Sequence, residues 1–273
     1  APLLLPSMKS VKGLMLIAVL VAVLAVATAA QIKSHGTSLA RKGFHVQKRA
    51  SDASPTGATW CGVCVDWMGN AVNQIINIIL NVGVPGDCNA LCQLYPGNSF
   101  EQALCEMYCD YKGLNYFINL LNNFNPDFIA ICENLDVCPK TLAAKAKITA
   151  LTVNPATGNS QTTYTITMKF SVVAKLGTAQ MIVQVNPPDA PFMQAVETLV
   201  ALNVGSYDYS FTLQANPSQD EPLDPGSYQV IGALCEGTCG GSGPYSYQLD
   251  QQQTTFTITP TPTSSSSNKP PLP

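Results

Sequence analysis

Histidine is almost absent from this sequence of 273 residues, which contains only two. Both of them, His35 and His45, lie near the amino terminus, and no histidine follows. The absence excludes Ser-His-Asp triads, Cys-His nucleophiles, histidine zinc sites and histidine general bases from the rest of the chain. No nucleophile elbow, metal-ligand cluster or phosphate-binding loop takes their place. The sequence therefore predicts a protein that is not an enzyme and that binds no cofactor and no metal.

Basic residues are scarce beyond residue 49. Seven of the 14 lysines and arginines lie at or before Arg49, whereas all 17 aspartates and glutamates follow it. A chain that begins near Ala50 therefore carries seven basic against 17 acidic residues, a net charge of −10. Such a chain repels the phosphates of nucleic acid, and at neutral pH it also repels anionic lipid. Nucleic acid is therefore not expected as a partner.

The longest apolar run is too short to cross a bilayer. It extends from Leu14 to Ala27, whereas a spanning helix needs about 20 residues. The charged stretch Met8–Lys12 precedes it and an Ala-Thr-Ala cleavage pattern ends it at Ala29, as in a secretory signal peptide. We expect residues 1–30 to be this signal peptide, residues 1–7 to be non-native, and the mature protein to be secreted and extracellular. A membrane anchor is the alternative.

Residues 31–56 and 260–273 show no pattern of a folded core. The first segment is a polar, basic leader without apolar periodicity. It contains Lys48 and Arg49, a dibasic pair at which a protease can cut; the alternative is a leader that stays attached. The second segment is rich in proline, serine and threonine, and a tail of this composition is expected to be disordered.

Residues 57–140 have the pattern of a helical domain. Apolar residues recur at three- and four-residue steps from Val63 to Leu80 and predict a long helix. The glycines and the proline within Val82–Gly86 are expected to terminate this helix. Asp87 is expected to cap the next helix, and Ser99 with Gln102 resembles a capping box that opens another. Asn125-Pro126-Asp127 separates the last helix from those before it.

From residue 145 to 259 the apolar pattern changes to a period of two, as in Thr162–Val172, Met181–Val185 and Tyr207–Leu213. Turns rich in proline and glycine separate about seven short strands. This arrangement favours an immunoglobulin-like β-sandwich, with a β-barrel as the alternative. The predicted fold class is therefore two domains, α then β.

Ten cysteines in a chain with a signal peptide predict disulfides formed in an oxidising compartment. Cys61 and Cys64 lie one helical turn apart near the start of the first helix, and Cys132 and Cys138 frame the end of the last. Two bridges can therefore join the ends of this domain. A redox or zinc site at Cys61 and Cys64 is the less favoured alternative.

The four central cysteines form two pairs with a spacing of four residues, Cys88 with Cys92 and Cys105 with Cys109, and each pair lies on one helix face. If the two helices run antiparallel, Cys92 meets Cys105 and Cys88 meets Cys109 as nested bridges. This pairing is a geometric hypothesis, because eight cysteines allow many others. In the β segment, Cys235 and Cys239 are expected to close a small loop.

The helical segment resembles a saposin B-type domain. The resemblance is carried by Cys61-x2-Cys64, the long apolar helix, the central cysteines and the stretch Pro126–Pro139. It implies bridges from Cys61 to Cys138 and from Cys64 to Cys132, with Cys92 to Cys105 as the central one. Cys88 and Cys109 exceed the usual six cysteines.

The chain is similar to the countin proteins of social amoebae. The similarity is carried by those two extra cysteines and by three stretches, Cys61–Trp67, Asn77–Val84 and Cys109–Tyr111. The resemblance extends over residues 57–259 and includes a β-rich region after the helical one. It implies a non-enzymatic signal that belongs to a secreted protein complex or acts on a cell-surface receptor. The implied role is to limit aggregate or group size through cell adhesion and motility.

A different function is suggested by the apolar content of the first helix, which exceeds what one buried stripe needs. Binding to lipid or permeabilisation of a membrane surface would use this excess. The candidate lipid-facing residues are Val63, Trp67, Val72, Ile75, Ile78, Ile79 and Leu80. Packing in a core is favoured over this alternative, because apolar helix faces are usually buried.

Overall fold

The computed structural model describes residues 44–47, 56–189, 191–215 and 223–260. The predicted signal peptide with its cleavage point at Ala29, the Lys48-Arg49 pair and the tail beyond residue 260 lie outside these ranges. From residue 56 onward a helical region precedes a β-rich region, as the change in apolar period predicts.

The helical region contains five helices. They are α1 (Thr56–Val82), α2 (Cys88–Leu94), α3 (Ser99–Lys112), α4 (Leu114–Phe124) and α5 (Phe128–Asn134). Asp87 caps α2 as predicted, since its carboxylate accepts a hydrogen bond from the N–H of Ala90 at 2.7 Å. Asn125, Pro126 and Asp127 separate α4 from α5 as predicted.

The capping box of α3 lies one residue earlier than predicted. Asn98, not Ser99, is the N-cap, and its side-chain oxygen accepts hydrogen bonds from the N–H groups of Phe100 and Glu101. The carboxylate of Glu101, rather than the Gln102 side chain, accepts the N–H of Asn98 at 2.9 Å. Asparagine caps as well as serine does, and a carboxylate also interacts favourably with the positive end of the helix dipole.

One face of every helix contributes to a shared core. Trp67 of α1 lies between two buried tyrosines, with ring centroids 6.1 Å from Tyr95 and 5.6 Å from Tyr108. Phe117 of α4 and Ile131 of α5 are fully buried in the same cluster. The helices are therefore held by one continuous apolar interior in addition to their disulfides.

The β-rich region forms two sheets. Its strands are β2 (Lys145–Asn154), β3 (Thr157–Asn159), β4 (Thr163–Ala174), β5 (Thr178–Asn186), β6 (Met193–Val200), β7 (Gly205–Gln214), β8 (Gly226–Glu236) and β9 (Tyr247–Thr259). One sheet has the order β7-β4-β2 with one more strand beside β7, and the other has the order β3-β9-β8-β5-β6.

The two sheets enclose a single hydrophobic core. Alternate residues of β4, among them Tyr164, Ile166 and Met168, are fully buried, as the period of two predicts. Their partners from the other sheet include Tyr228 and Phe256, whose rings stack 5.0 Å apart. Pairing is antiparallel except between β3 and β9. The immunoglobulin-like assignment stays a prediction.

The leader contributes a strand that its sequence does not predict. Residues Phe44–Gln47 form β1, which pairs antiparallel with β7 at the edge of the first sheet, Phe44 opposite Leu213 and Gln47 opposite Ser210. An edge strand is held by backbone hydrogen bonds, so it needs no apolar periodicity. The pairing of β1 adds a strand that the leader's composition does not predict, and the expectation that residues 31–56 bury no core stays a prediction.

Candidate functional site

The ten cysteines form five disulfides, and they join the five pairs named from the sequence. Cys61–Cys138 and Cys64–Cys132 connect the start of α1 to the end of the helical region. Cys235–Cys239 closes a short loop after β8. No cysteine is free. The redox or zinc alternative for Cys61 and Cys64 is therefore wrong, since both sulfurs are in disulfides.

The two central bridges lie between α2 and α3. Cys88–Cys109 and Cys92–Cys105 are nested, with sequence separations of 21 and 13 and Cα–Cα distances of 5.6 Å each. The bridges are nested because each helix presents two cysteines on one face and the two helices run antiparallel, as the cysteine spacing implies.

Three of the candidate lipid-facing residues belong to the core instead. Trp67, Val72 and Ile75 are buried against the other helices. The alternative that these three face lipid is therefore contradicted, and the favoured expectation of core packing is confirmed for them, because the single apolar core of the region covers this stripe of α1. Three others, Val63, Ile78 and Ile79, are partly buried against the same core.

Leu80, the remaining candidate, lies near the carboxyl-terminal end of α1, where Val82 and the following Val84 are also exposed. Leu80 is 76% exposed, Val82 67% and Val84 58%. Val84 also lines a cavity of about 490 Å³, together with Lys112, Leu114 and Tyr116. Among the described helices, α1 is long and apolar enough to cross a membrane by length and composition, although core helices of soluble proteins share this property.

Asp127 joins the helical region to the β region. Its side chain caps α5 by accepting the N–H of Ala130 at 3.0 Å, and the same oxygen accepts the hydroxyl hydrogen of Thr238 at 2.6 Å. Its other oxygen accepts from Ser246 at 3.4 Å and from the N–H of Gly243 at 3.3 Å. One buried carboxylate thus satisfies donors from a helix end and from the β8–β9 loop.

Two glutamates with raised pKa values lie in the same junction. Glu133 of α5 is completely buried, and no described residue forms a hydrogen bond with either oxygen of its carboxyl group. Burial raises the pKa of Glu133 to about 8, and the neighbouring Glu236 and Asp127 carboxyls act in the same direction. Lys140 opposes them, but its ammonium group donates to the backbone carbonyl of Glu133 and to Asp136 instead.

Glu236 is also completely buried, at the end of β8. One of its oxygens accepts the N–H of Gly177 at 2.8 Å, whereas the other has no partner among the described residues. Burial raises the pKa of Glu236 to about 7, and backbone hydrogen bonds from Gly177 and Thr141 act against that shift. Both carboxyl groups can therefore bind or release a proton near neutral pH.

Lack of space for a side chain explains two glycines at this junction. A Cβ atom on Gly177 would lie 2.9 Å from both the carbonyl oxygen of Pro139 and the Cα of Lys140, and closer still to Glu236. A Cβ atom on Gly241 would collide with the Asp127 carboxylate. Gly177 has no room for a side chain because the backbone of Pro139 and Lys140 passes against it, whereas at Gly241 the space is taken by the side chains of Asp127 and Thr238.

The sequence interpretation missed this junction. It treats Asp127 only as part of a helix break and Glu236 only as part of a disulfide loop. A signal was nevertheless present, since Cys239 is followed by Gly240, Gly241 and Gly243, and a run of glycines indicates close backbone contact. Among the described residues no group of three or more His, Cys, Asp or Glu is arranged to hold a metal ion.

Comparisons with known proteins match both regions of the chain. Residues 59–136 match the Countin N-terminal domain, and residues 146–263 match the Countin C-terminal domain. Likeness to solved structures is low: a β-glucosidase of Erythrobacter marinus has a TM-score of 0.32 at 10% identity and covers 42% of this chain and 15% of that chain. This TM-score is too low to indicate a shared fold.

Three curated relatives come from Dictyostelium discoideum. Countin-1 is 36% identical over 195 residues, which cover 71% of this chain and 76% of that protein. Countin-3 is 36% identical and covers 70% and 86% of the two chains, and Countin-2 is 38% identical and covers 66% and 71%. The aligned residues take up more than two thirds of each relative, and the chain therefore belongs to the countin family.

Proposed function

We propose that this protein is a secreted, non-enzymatic signalling factor that limits the size of cell groups through adhesion and motility, as part of an extracellular complex. One observation carries the proposal: the match to countins extends over both the helical and the β region, so the whole arrangement is shared with the family. The dense disulfides support an extracellular location, because cytosolic proteins rarely keep them.

The same proposal includes the finer fold names. Five helices with bridges between their two ends support a saposin B-type domain. Two antiparallel-rich sheets around one core support an immunoglobulin-like sandwich. A fold does not by itself specify a function, so these names add no argument for signalling.

Disruption of the gene in the organism that encodes the chain tests the function. We expect larger aggregates and altered cell–cell adhesion and motility, and we expect the purified full chain, added to the medium, to restore the normal size. Protein that has been reduced and alkylated serves as the control, since it lacks the five bridges. Disrupted cells with unchanged aggregate size and adhesion would contradict the proposal.

A second candidate function is binding to a lipid surface through the end of α1. The observation that favours it is the exposure of Leu80, Val82 and Val84 at one end of the helical region. Acidic residues oppose contact with anionic lipid at neutral pH, and their protonation in acid removes this opposition.

Vesicles that contain phosphatidylserine test this candidate by co-sedimentation and leakage at pH 4.5 and pH 7. We expect binding at pH 4.5 that Leu80→Asn weakens. Leu142→Asn is the matched control, because Leu142 is 71% exposed in the loop after α5, away from the end of α1. Absence of binding at both pH values, or equal loss in both variants, would remove lipid as a ligand of this surface.

A further inference from the structure

Hydrogen bonds form several of the contacts between the helical and β regions. Beside Asp127 and its partners, the hydroxyl of Thr178 donates to the carbonyl oxygen of Pro139 at 2.7 Å. Val200 of β6 adds one apolar side chain, packed against the helical core. Hydrogen-bonded polar groups therefore contribute to the strength of this contact.

Glu133 and Glu236 reach the contact from opposite sides, one from α5 and the other from β8. The titratable groups that face them are Asp127 at the start of α5, Lys140 in the following loop and Tyr247 of β9. Only Lys140 is cationic, and its ammonium group is bound to Asp136 and to a backbone carbonyl. Lys140 favours the ionised form of Glu133, but less than burial and the Glu236 and Asp127 carboxyls oppose it.

We propose that Glu133 and Glu236 form a proton-dependent latch between the two regions. When both carboxyl groups are protonated, the contact is neutral and closed. When they ionise, two buried negative charges repel each other and the nearby Asp127, and water reaches them only if the regions separate. The separated form exposes the surfaces around Thr178 and Gly241 to other molecules.

The direction of the pH dependence follows from the raised pKa values of both groups. An unfolded glutamate titrates near 4.5, whereas the folded values are about 8 for Glu133 and about 7 for Glu236. The latch therefore stabilises the contact fully below pH 4.5, and the stabilisation is lost as the pH rises through 7 to 8. A secreted protein that moves from an acidic compartment to neutral medium would pass through this window.

Hydrogen exchange of the full-length protein between pH 5 and pH 8.5 tests the latch. The informative segments are 139–141, 176–178 and 240–246, and the interior of α1 is the internal reference. After correction for the intrinsic pH dependence of exchange, we expect protection in these segments to fall at least about tenfold with rising pH, while α1 keeps its protection.

Two variants distinguish proton linkage from simple packing. Glu236→Gln and Glu133→Gln keep the shape of the side chain but cannot ionise, so we expect either variant to reduce the pH dependence of protection. Glu106→Gln is the control, because Glu106 is a partly exposed glutamate of α3, and we expect it to leave the pH dependence unchanged. The wild-type profile needs no variant, so the latch stays testable even if one of them does not fold. Constant wild-type protection across the pH range would overturn the proposal. So would restored protection on adding Ca²⁺ at pH 8.5, because that result would make the two carboxylates a cation site.

Discussion

The hydroxyl of Thr238 donates a 2.6 Å hydrogen bond to Asp127, across the boundary between the β region and the helical region. The same carboxylate caps the start of α5. One side chain therefore both begins this helix and connects it to the β8–β9 loop. Two structural roles in one residue mean that its loss has a larger effect than the loss of an ordinary cap.

Asp127→Ala is expected to lower the free energy of unfolding by about 3 kcal/mol, about 1 from the lost cap and the rest from hydrogen bonds to a buried charge. Asp87→Ala is the matched control, since Asp87 caps α2 by the same type of bond, to the N–H of the residue three positions later, but is exposed. It should lower the free energy by about 1 kcal/mol. Chemical denaturation at constant pH measures both, and equal losses would show that the bond to Thr238 adds nothing.

Gly177→Ala should destabilise the protein by about 1–3 kcal/mol, because the added methyl group meets backbone atoms of Pro139 and Lys140 that cannot move aside cheaply. Gly62→Ala should have the opposite sign. Gly62 lies inside α1 with nothing within 4 Å of its Cβ position, and alanine stabilises a helix interior by about 0.5–1 kcal/mol relative to glycine. Thermal unfolding compares the two, and a neutral Gly177→Ala would argue against close approach at the junction.

The nested bridges between α2 and α3 should be partly redundant. When Cys92 and Cys105 are replaced by serine, Cys88–Cys109 still joins the two helices. When Cys88 and Cys109 are replaced instead, Cys92–Cys105 still joins them. Each loss alone should cost about 1 kcal/mol, whereas losing both should cost about 3 kcal/mol or more. Denaturation of the three variants under non-reducing conditions provides the values; simple additivity would be evidence against the redundancy.

Asp136 should remain ionised at unusually low pH. A hydrogen bond from Lys112 at 2.6 Å, followed by one from Lys140 at 2.8 Å, lowers the pKa of Asp136 to about 2. The lowered pKa implies stabilisation that is present above pH 3.8 and is lost as the pH falls towards 2. NMR titration of the carboxyl carbon measures this pKa, and Lys112→Met should raise it; an unchanged midpoint would show that Lys112 is not the main cause.

Taken together, the opposite shifts of Asp136 and of the two junction glutamates predict a stability maximum in mild acid. Stability should rise from pH 2 to about 4 as Asp136 ionises, and it should decline from about 4.5 towards 8 as Glu236 and Glu133 ionise. Denaturant midpoints measured across this range test the shape of the curve. A maximum at neutral pH would contradict the raised pKa values of Glu133 and Glu236, and the absence of a rise between pH 2 and 4 would contradict the lowered pKa of Asp136.

Much of the helical region could be predicted from its sequence because the relevant signals are local. The three- and four-residue apolar spacing of α1, the Asp87 cap and the spacing of Cys88, Cys92, Cys105 and Cys109 all act within one or two helical turns. The capping box was placed one residue late because Ser99 and Asn98 are both good caps. Core packing of α1 was the favoured expectation, but the sequence could not separate the buried Trp67 and Val72 from the exposed Leu80, since burial there depends on the other helices.

The sequence by itself determined the order of helix and strand and the sets of cysteines close enough along the chain to share a helix face. Only the tertiary structure decided that β1 pairs with β7, and that Asp127 meets Thr238 although 111 positions separate them. The physical reason is that backbone pairing at a sheet edge and contact between buried carboxyl groups depend on distances in space, on which local periodicity carries no information.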